Sequence, residues 1–520
     1  MRYVLSIIGA FILGLTLSYG QNIPTIHNEQ VESSSEYQEG NDFQKDLLLY
    51  IDMLTKTHPY YADAGHRAKL ERQARKMYKE CGKIKDASTF KVYIATIAAS
   101  LNDGHTAISY WSKLDRVFPV RLALDGDASA IIDVTSKEQS ELLGKEVVGI
   151  NGKTLKQILR KARNIVSADN DVNFENLVKE YLMFTEFWAL MGMNDEVLFL
   201  ALADGSSRDI PAINKSELQI AQLQKSVDGR VTAQRGVLFD YTIYEDESIC
   251  YMQFNQFADR LTHPKYTQLA RFDEFTRDMM AEMKEKDIRT LVVDLQYNGG
   301  GNSQLGDVLL SWLYPHKDTK RYGVDVRVSE LLCAHYPYYN EFTVDGKPLE
   351  KGKMYDYMGF DHSKEYKIDY SAPQDPNKFV FNFDNDKIFK GNVIFIQGKD
   401  SFSSATLLLT LARDNGIGII VGETSGGRPS HYGDILYCTL PNTGTIATVS
   451  HKHFVRPNRE LVADEYLVPD VVIDLNNPDK DLVWEWIINN YGANRNAQTR
   501  QKSDDDSYLW DTIYRPSMDN

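Results

Sequence analysis

The chain has 520 residues, 42% of them apolar and 25% charged, with a formal net charge of −15. That composition is globular, and the length suits roughly two to four domains. The acidic balance argues against a nucleic-acid surface, which needs a basic field, and leaves peptides and small molecules as partners.

Residues 1–20 read as a signal peptide. Arg2 supplies a short positive region, Val4 to Tyr19 is almost entirely apolar, and Ser18 and Gly20 are small residues just before Gln21. The run is short for a membrane span and no stop-transfer pattern follows. No cysteine stands at the cleavage point for lipid attachment. The expectation is an exported protein, periplasmic or extracellular, with no membrane span after cleavage. Residues 21–40, which include "NEQVESSSEYQEG", are polar and acidic and read as a flexible linker.

Over 41–110 apolar residues recur at helical spacing. "FQKDLLLYIDMLTKTH" and "FKVYIATIAASL" each fit a helix with one buried face, which predicts an N-terminal helical domain. It ends at "LNDGHTAIS", where Asn102, Asp103 and Gly104 break the helix. Residues 119–215 alternate strand-like runs with turns. "GKEVVGINGKTLKQIL" holds a strand, an Asn-Gly turn and a helix start, and "EVLFLALADGSSRDIPAI" reads as a hairpin around Asp204-Gly205. "FENLVKEYLMFTEFWALMG" between them is a helical insertion. Residues 236–490 have an α/β rhythm. "ESICYMQFNQF", "RTLVVDLQ", "NVIFIQG" and "GIGIIVGE" are strands and "FDEFTRDMMAEMKEKD" an amphipathic helix, which predicts a largely parallel sheet covered on both faces. Residues 491–520 form a polar tail. Cys81, Cys250, Cys333 and Cys438 make no CxxC pair and show no zinc spacing. A chain this long builds a core without staples, so buried free thiols are expected, although export would permit disulfides.

Two loops sit where α/β sheets place their sites, at the carboxyl ends of strands. In "DLQYNGGGNSQLGD" the glycines Gly299, Gly300 and Gly301 lie between a strand and a helix. Glycine permits a sharp turn and leaves N–H groups open to an anion, a phosphate or the oxyanion of acyl transfer. No lysine follows, as the phosphate-loop pattern GxxxxGK(S/T) requires. In "GKDSFSSATLLLTLARDNG" Ser401, Ser403 and Ser404 crowd the start of a helix. They are either caps or they include a nucleophile. A nucleophilic serine needs a base, and His105, in the tight turn "NDGHTAIS", is the best-placed histidine. His431, His451 and His453 are rivals. "SHKHF" alternates like a strand, and its two histidines could bind metal, but no third ligand is apparent.

With these motifs in order, the chain resembles the C-terminal (tail-specific) processing peptidases and the related tricorn-type serine peptidases. "LNDGHT", "TLVVDLQYNGGG", "FIQGKDSFSSATLLLTLARDNG" and "VGETSGG" with its closing "VPDVVI" carry the likeness over most of 41–475. The resemblance implies an α/β chain built of the N-terminal helical domain, a degenerate PDZ-like module at 119–215 and a crotonase-like (ClpP-like) spiral catalytic core at 236–490. It implies Ser403 as nucleophile, with oxyanion donors in the glycine loop, Gly300 favoured over Gly301, and at Ser404. One branch of the family activates its serine with a lysine. Arg428 occupies that place here and cannot act as a base. The tricorn-like branch uses a histidine, which maps to His105, and an acid before the closing Pro-Asp, which maps to Asp464 or Glu465. The register of that acid is open, because Tyr466 stands where the family has glycine. The implied function is an exported serine peptidase acting on peptide or protein substrates through an acyl-enzyme, with no cofactor and no metal. The alternative is an inactive relative that binds a ligand or peptide.

Overall fold

The computed structural model describes residues 23–109, 115–125, 129–222, 230–262, 268–360, 378–477 and 480–493. The signal-peptide segment and nearly all of the polar tail lie outside them. Residues 29–39 form two short helices, α1 (Glu29–Glu32) and α2 (Ser35–Glu39), capped by the side chains of Asn28 and Ser34. Polar composition alone reads this stretch as a flexible linker. Specific contacts anchor it instead. Asn28 donates to Asp52 at 2.8 Å, Ile26 is buried, and backbone bonds join Ile26 and Pro24 to Thr439.

Helix α3 (Asp42–Thr57) begins with a reciprocal cap between Asn41 and Gln44 and buries Leu47, Tyr50, Ile51 and Leu54 on one face. Pro59 stops it, since proline has no N–H to extend the ladder, and His58 becomes its C-cap. Helices α4 (Ala64–Cys81) and α5 (Ala87–Ala99) complete this layer. The buried Asp46 carboxylate of α3 fastens the layer to a distant turn. It accepts the N–H groups of Asn442 (3.1 Å) and Thr443 (2.7 Å) and the Asn442 side chain (2.7 Å).

Strands β1 (Val120–Asp125), β2 (Ser129–Ser136), β3 (Glu146–Ile150), β4 (Val197–Leu202) and β5 (Ser207–Pro211) follow one another across an antiparallel sheet. Asn151 and Gly152, both at positive φ, make the tight turn that leads from β3 to α6 (Leu155–Arg163). The inserted helices are α7 (Asp171–Tyr181) and α8 (Thr185–Leu190).

The remaining elements, in chain order, are β6 (Phe239–Tyr244), β7 (Ile249–Phe254), α9 (Phe272–Glu285), β8 (Thr290–Asp294), α10 (Gln304–Leu310), β9 (Gly323–Arg327), α11 (Glu330–His335), β10 (Met354–Asp356), β11 (Asn392–Gln397), α12 (Ser404–Asp414), β12 (Ile419–Gly422), β13 (His431–Thr439), β14 (Ile446–Val455), β15 (Val471–Val472) and α13 (Leu482–Tyr491). Six of them form the central sheet, in the order β6-β7-β8-β11-β12-β15, antiparallel only between β6 and β7. Strands β7 and β8 are buried at every position because helices cover both faces. Met279, Leu305 and Leu408 pack on one side, and Val292, Tyr251 and Ile487 on the other. A second, antiparallel sheet has the order β10-β9-β14-β13. Residues 107–109 pair with β14, with Ser109 N–H donating to Ile446 at 2.8 Å and Thr448 N–H to Ala107 at 2.8 Å. This pairing carries the 102–106 turn to the end of the central sheet. The architecture is thus mixed α/β and multidomain.

All four cysteines are buried and unpaired, matching the expectation of free thiols. Among the described residues no helix is long and apolar enough to cross a membrane.

Replacing Asp46 with alanine leaves the Thr443 and Asn442 donors without their acceptor. It should destabilise the fold by about 2 kcal/mol, read as a lower urea midpoint. An unchanged midpoint would mean that this anchor contributes nothing.

Candidate active site

Between β11 and α12 the chain turns sharply, and each serine of that turn has a different task. Ser401 is fully buried. Its hydroxyl donates to the Leu295 carbonyl at 2.8 Å and accepts the Gly398 N–H at 3.1 Å. Ser404, the first residue of α12, donates its hydroxyl to the Gly301 carbonyl at 2.6 Å. Ser403 lies between them, half-buried, at φ 52° and ψ −121°. A side-chain-bearing residue pays roughly 1–3 kcal/mol for such a conformation, so the surroundings must hold it there. The bonds of its two neighbours supply that hold.

The glycine loop approaches this turn closely. Gly300 has φ +102°, and a Cβ there would lie 2.8 Å from Ser403 Cβ. Gly301 has φ +134°, and a Cβ there would lie 2.3 Å from the Phe257 carbonyl oxygen. Only glycine fits either place. Buried Asn298 joins loop to turn. Its carbonyl accepts the Phe402 N–H at 3.0 Å, its amide donates to the Phe254 carbonyl at 2.7 Å, and its Oδ1 accepts the Gly300 N–H at 2.8 Å. The Gly300 N–H, favoured as an oxyanion donor from the motif, is therefore already engaged. The N–H groups of Gly301 and Ser404 have no partner among the described residues. Ser404 also opens α12, where the helix dipole favours negative charge.

His105 reaches the turn from the N-terminal side of the chain. Its Nε2 lies 3.1 Å from Ser403 Oγ. The ring stacks between Phe402 (centroids 4.8 Å apart) and His431 (5.7 Å). Burial pushes the His431 ring down to about 3, so it packs as a neutral ring, held by its Nδ1 contact to the Arg428 carbonyl at 2.9 Å. On the far side of His105, Nδ1 has no hydrogen-bond partner among the described residues and faces Asp103 Oδ1 at 3.5 Å. Asp103 is fully buried. Burial alone would raise its carboxyl, but the imidazoles of His105 and His58 hold it well below the ordinary carboxylate range. The same contest acts on His105. Burial opposes its charge, while Asp103, and then Asp169 and Asp434, outweigh burial and raise it above the ordinary value of 6.5.

Asp169 is a second buried carboxylate near the ring. It accepts the Gly104 N–H at 2.7 Å, and burial pushes its carboxyl up to about 6. One ligand-type atom from each of Asp103, His105 and Asp169 lies within 4.8 Å of the others. Both carboxylates already accept protein donors, so the group is built to support an imidazole.

The acids expected from the closing motif are elsewhere engaged. Asp464 pairs with Arg456 at 3.0 Å. Glu465 is mostly exposed and pairs with Arg428 at 3.2 Å. Neither is among the carboxylates that act on His105. The acid beside the imidazole is Asp103, two residues before it, whose N–H bond from His105 (2.9 Å) closes the turn. The Asp-Gly-His spacing was the available signal, but it reads equally well as turn chemistry. Asn298 was also inconspicuous, as one more polar residue beside a glycine run. His451 and His453 face different carboxylates, Asp434 at 3.5 Å and Asp325 at 3.8 Å.

The sequence pattern of peptidase family S41 matches residues 248–473, the stretch that holds the glycine loop and Ser403. Over that stretch the chain is similar to peptidase family S41. Ser403, half-buried on its strained turn, lies within the matched residues. Mature CPAF complexed with lactacystin is similar in structure, with a TM-score of 0.58 at 14% identity, covering 84% of this chain and 94% of that one. Mature CPAF alone gives 0.57 at 14% identity, over 84% and 93%. At such identity the likeness establishes a shared fold. The photosystem II D1 C-terminal processing protease gives 0.42 at 13% identity, over 87% and 98%. No curated protein matches the chain in sequence. The S41 region ends before α13, and His105 and Asp103 lie outside it, so the site draws on chain beyond the matched residues.

Gly300→Ala should force Ser403 off its turn. The expected result is a folded protein whose reaction with a fluorophosphonate is slowed at least about tenfold, since a strained contact of this kind costs about 1–3 kcal/mol. Labelling at the parental rate would show that the close approach is not needed.

Proposed function

We propose that this chain is a member of peptidase family S41 and hydrolyses peptide bonds through an acyl-enzyme on Ser403. The 3.1 Å contact between His105 Nε2 and Ser403 Oγ carries the reading. With the Nδ1 proton turned to Asp103, Nε2 presents a lone pair to the hydroxyl. Ser403 Oγ attacks the scissile carbonyl carbon as His105 takes its proton. The oxyanion forms at the N–H groups of Gly301 and Ser404, each such donor contributing about 3 kcal/mol to the transition state. His105 then protonates the leaving amine, and water repeats the sequence on the ester. Asp103 orients the ring and stabilises the imidazolium. Arg428, in place of the family lysine, fits the histidine-dependent branch.

The substrate is a peptide or protein. The Arg2-led apolar segment supports export to the periplasm or beyond the cell. The 119–215 region acts as a degenerate PDZ-like module beside a crotonase-like core, a reading that rests on "GKEVVGINGKTL" and the motif order. Binding without turnover was the other reading of the sequence. It rested on the missing lysine, the degenerate PDZ-like module and the unplaced acid; the histidine at the serine and the buried carboxylate beside it support turnover instead.

Ser403→Ala should abolish fluorophosphonate labelling and lower peptide hydrolysis by at least about ten-thousand-fold. Equal labelling of both proteins would exclude this nucleophile. The pH dependence has a definite sign. Only neutral His105 is a base, and its charged form is favoured in the fold, so kcat/KM should fall as pH drops through a midpoint above 6.5. Asp103→Asn removes the largest favourable charge. The midpoint should move to lower pH and the rate fall by about ten-thousand-fold. A midpoint unmoved in that variant would remove Asp103 from the mechanism.

A further inference from the structure

Behind Asp103 stands a second histidine that no step above uses. His58 caps the end of α3 and is fully buried, as is Asp103. Its Nε2 lies 3.0 Å from Asp103 Oδ2. Its Nδ1 accepts the Tyr60 N–H at 3.1 Å. A nitrogen that accepts cannot carry a proton, so the proton sits on Nε2, and the ring is neutral and donates to the carboxylate. Pro59 and the short turn after it fix Tyr60 where this N–H is available. The ring itself packs on Tyr432 (centroids 4.7 Å) and against the edge of Tyr61 (6.2 Å).

The two oxygens of Asp103 are used differently. Oδ2 accepts from His58 Nε2, from Thr106 Oγ1 at 2.6 Å and from Ser450 Oγ at 2.7 Å. Among the described residues Oδ1 accepts only the His105 N–H, and it is the oxygen facing His105 Nδ1. Three donors on one oxygen hold the carboxylate plane and draw its charge away from the ring that must lose and regain a proton. The donors come from three separate parts of the fold: the end of α3, the 102–106 turn and β14.

We propose that His58 is a positioning residue for the peptidase reaction. By donating to Asp103 Oδ2 it keeps Oδ1 turned to His105 and limits the pull of the carboxylate on the His105 proton. The helical layer is then part of the catalytic apparatus, with its contribution delivered through a single imidazole. This inference rests on the reading of Ser403 and His105 given above.

The consequences can be separated from simple loss of packing. In His58→Phe the ring volume remains and the donor is lost. Thr106 and Ser450 still donate, so Asp103 stays charged, but more of its charge acts through Oδ1. The groups facing His105 are Asp103, Asp169, Asp434 and neutral His431. Those facing His58 are Asp103, Tyr61, Tyr432 and His453. The substitution removes the Asp103 hydrogen bond and the acceptor of the Tyr60 N–H, and leaves every titratable group around His105 in place. The His105 proton is then held more tightly, and the acid limb of kcat/KM moves to higher pH, by about half a unit.

The test compares the parent, His58→Phe and His58→Gln in peptide hydrolysis across pH, with fluorophosphonate labelling run alongside. The amide of glutamine can place a donor where Nε2 stands. The expected result is kcat lowered about tenfold in His58→Phe with KM nearly unchanged, the acid limb shifted upward, and both restored in His58→Gln. A rate loss with an unmoved limb, or the same loss in both variants, would overturn the positioning role. Imidazole nitrogen NMR on the unmodified protein gives a second reading that needs no variant to fold. A bare Nδ1 and a protonated Nε2 on His58 are expected, and a protonated Nδ1 would overturn the proposal. A parent that neither labels nor cleaves would instead defeat the peptidase reading itself.

Discussion

The site depends on one contact, between Ser403 Oγ and His105 Nε2, made across 298 residues of chain. Neither partner is positioned by its own segment alone. Ser403 occupies a strained backbone conformation, stabilised by Ser401, Ser404 and Asn298 on either side of it. His105 sits in a turn whose following residues pair with β14, in a different sheet from the one that presents the serine. The contact therefore reports whether the sheets and the helical layer are assembled in register. A shift of about 1 Å between them would break it.

The electrostatics follow from burial. A catalytic imidazole placed away from water loses basicity, because its charged form is poorly solvated. Here buried carboxylates reverse that loss. Asp103 can stay ionised in a dry site because imidazoles and hydroxyls surround it. Asp169 lacks so complete a set of donors, and its carboxyl rises to about 6. Two acids a few ångströms from one ring thus have different environments. One is fitted to hold charge continuously, and the other lies close to its titration point at neutral pH.

Periodicity and turn chemistry made most of the core legible in sequence. The buried runs of β7, β8 and β11 and the Asn151-Gly152 hairpin are local signals, and the fold uses them locally. Ser403 and His105 stood out because motif order restricts them, and the structure brings the two together. The supporting acid was not legible. Which carboxylate meets Nδ1 depends on how β14, α3 and the 102–106 turn pack, and no single segment encodes that. The motif likewise does not distinguish Gly300 from Gly301, because it does not show that Asn298 takes up the Gly300 N–H. Residues 29–39 looked like a linker because their composition is polar. Their order comes from a few specific bonds, such as Asn28 to Asp52, which composition does not reveal.

A structure of the protein with a peptide boronate bound would test the central claim most directly. The account predicts a bond from boron to Ser403 Oγ, a boronate oxygen at the N–H groups of Gly301 and Ser404, and His105 Nε2 within hydrogen-bonding reach. A boronate attached to another residue, or an oxygen turned away from both N–H groups, would contradict it.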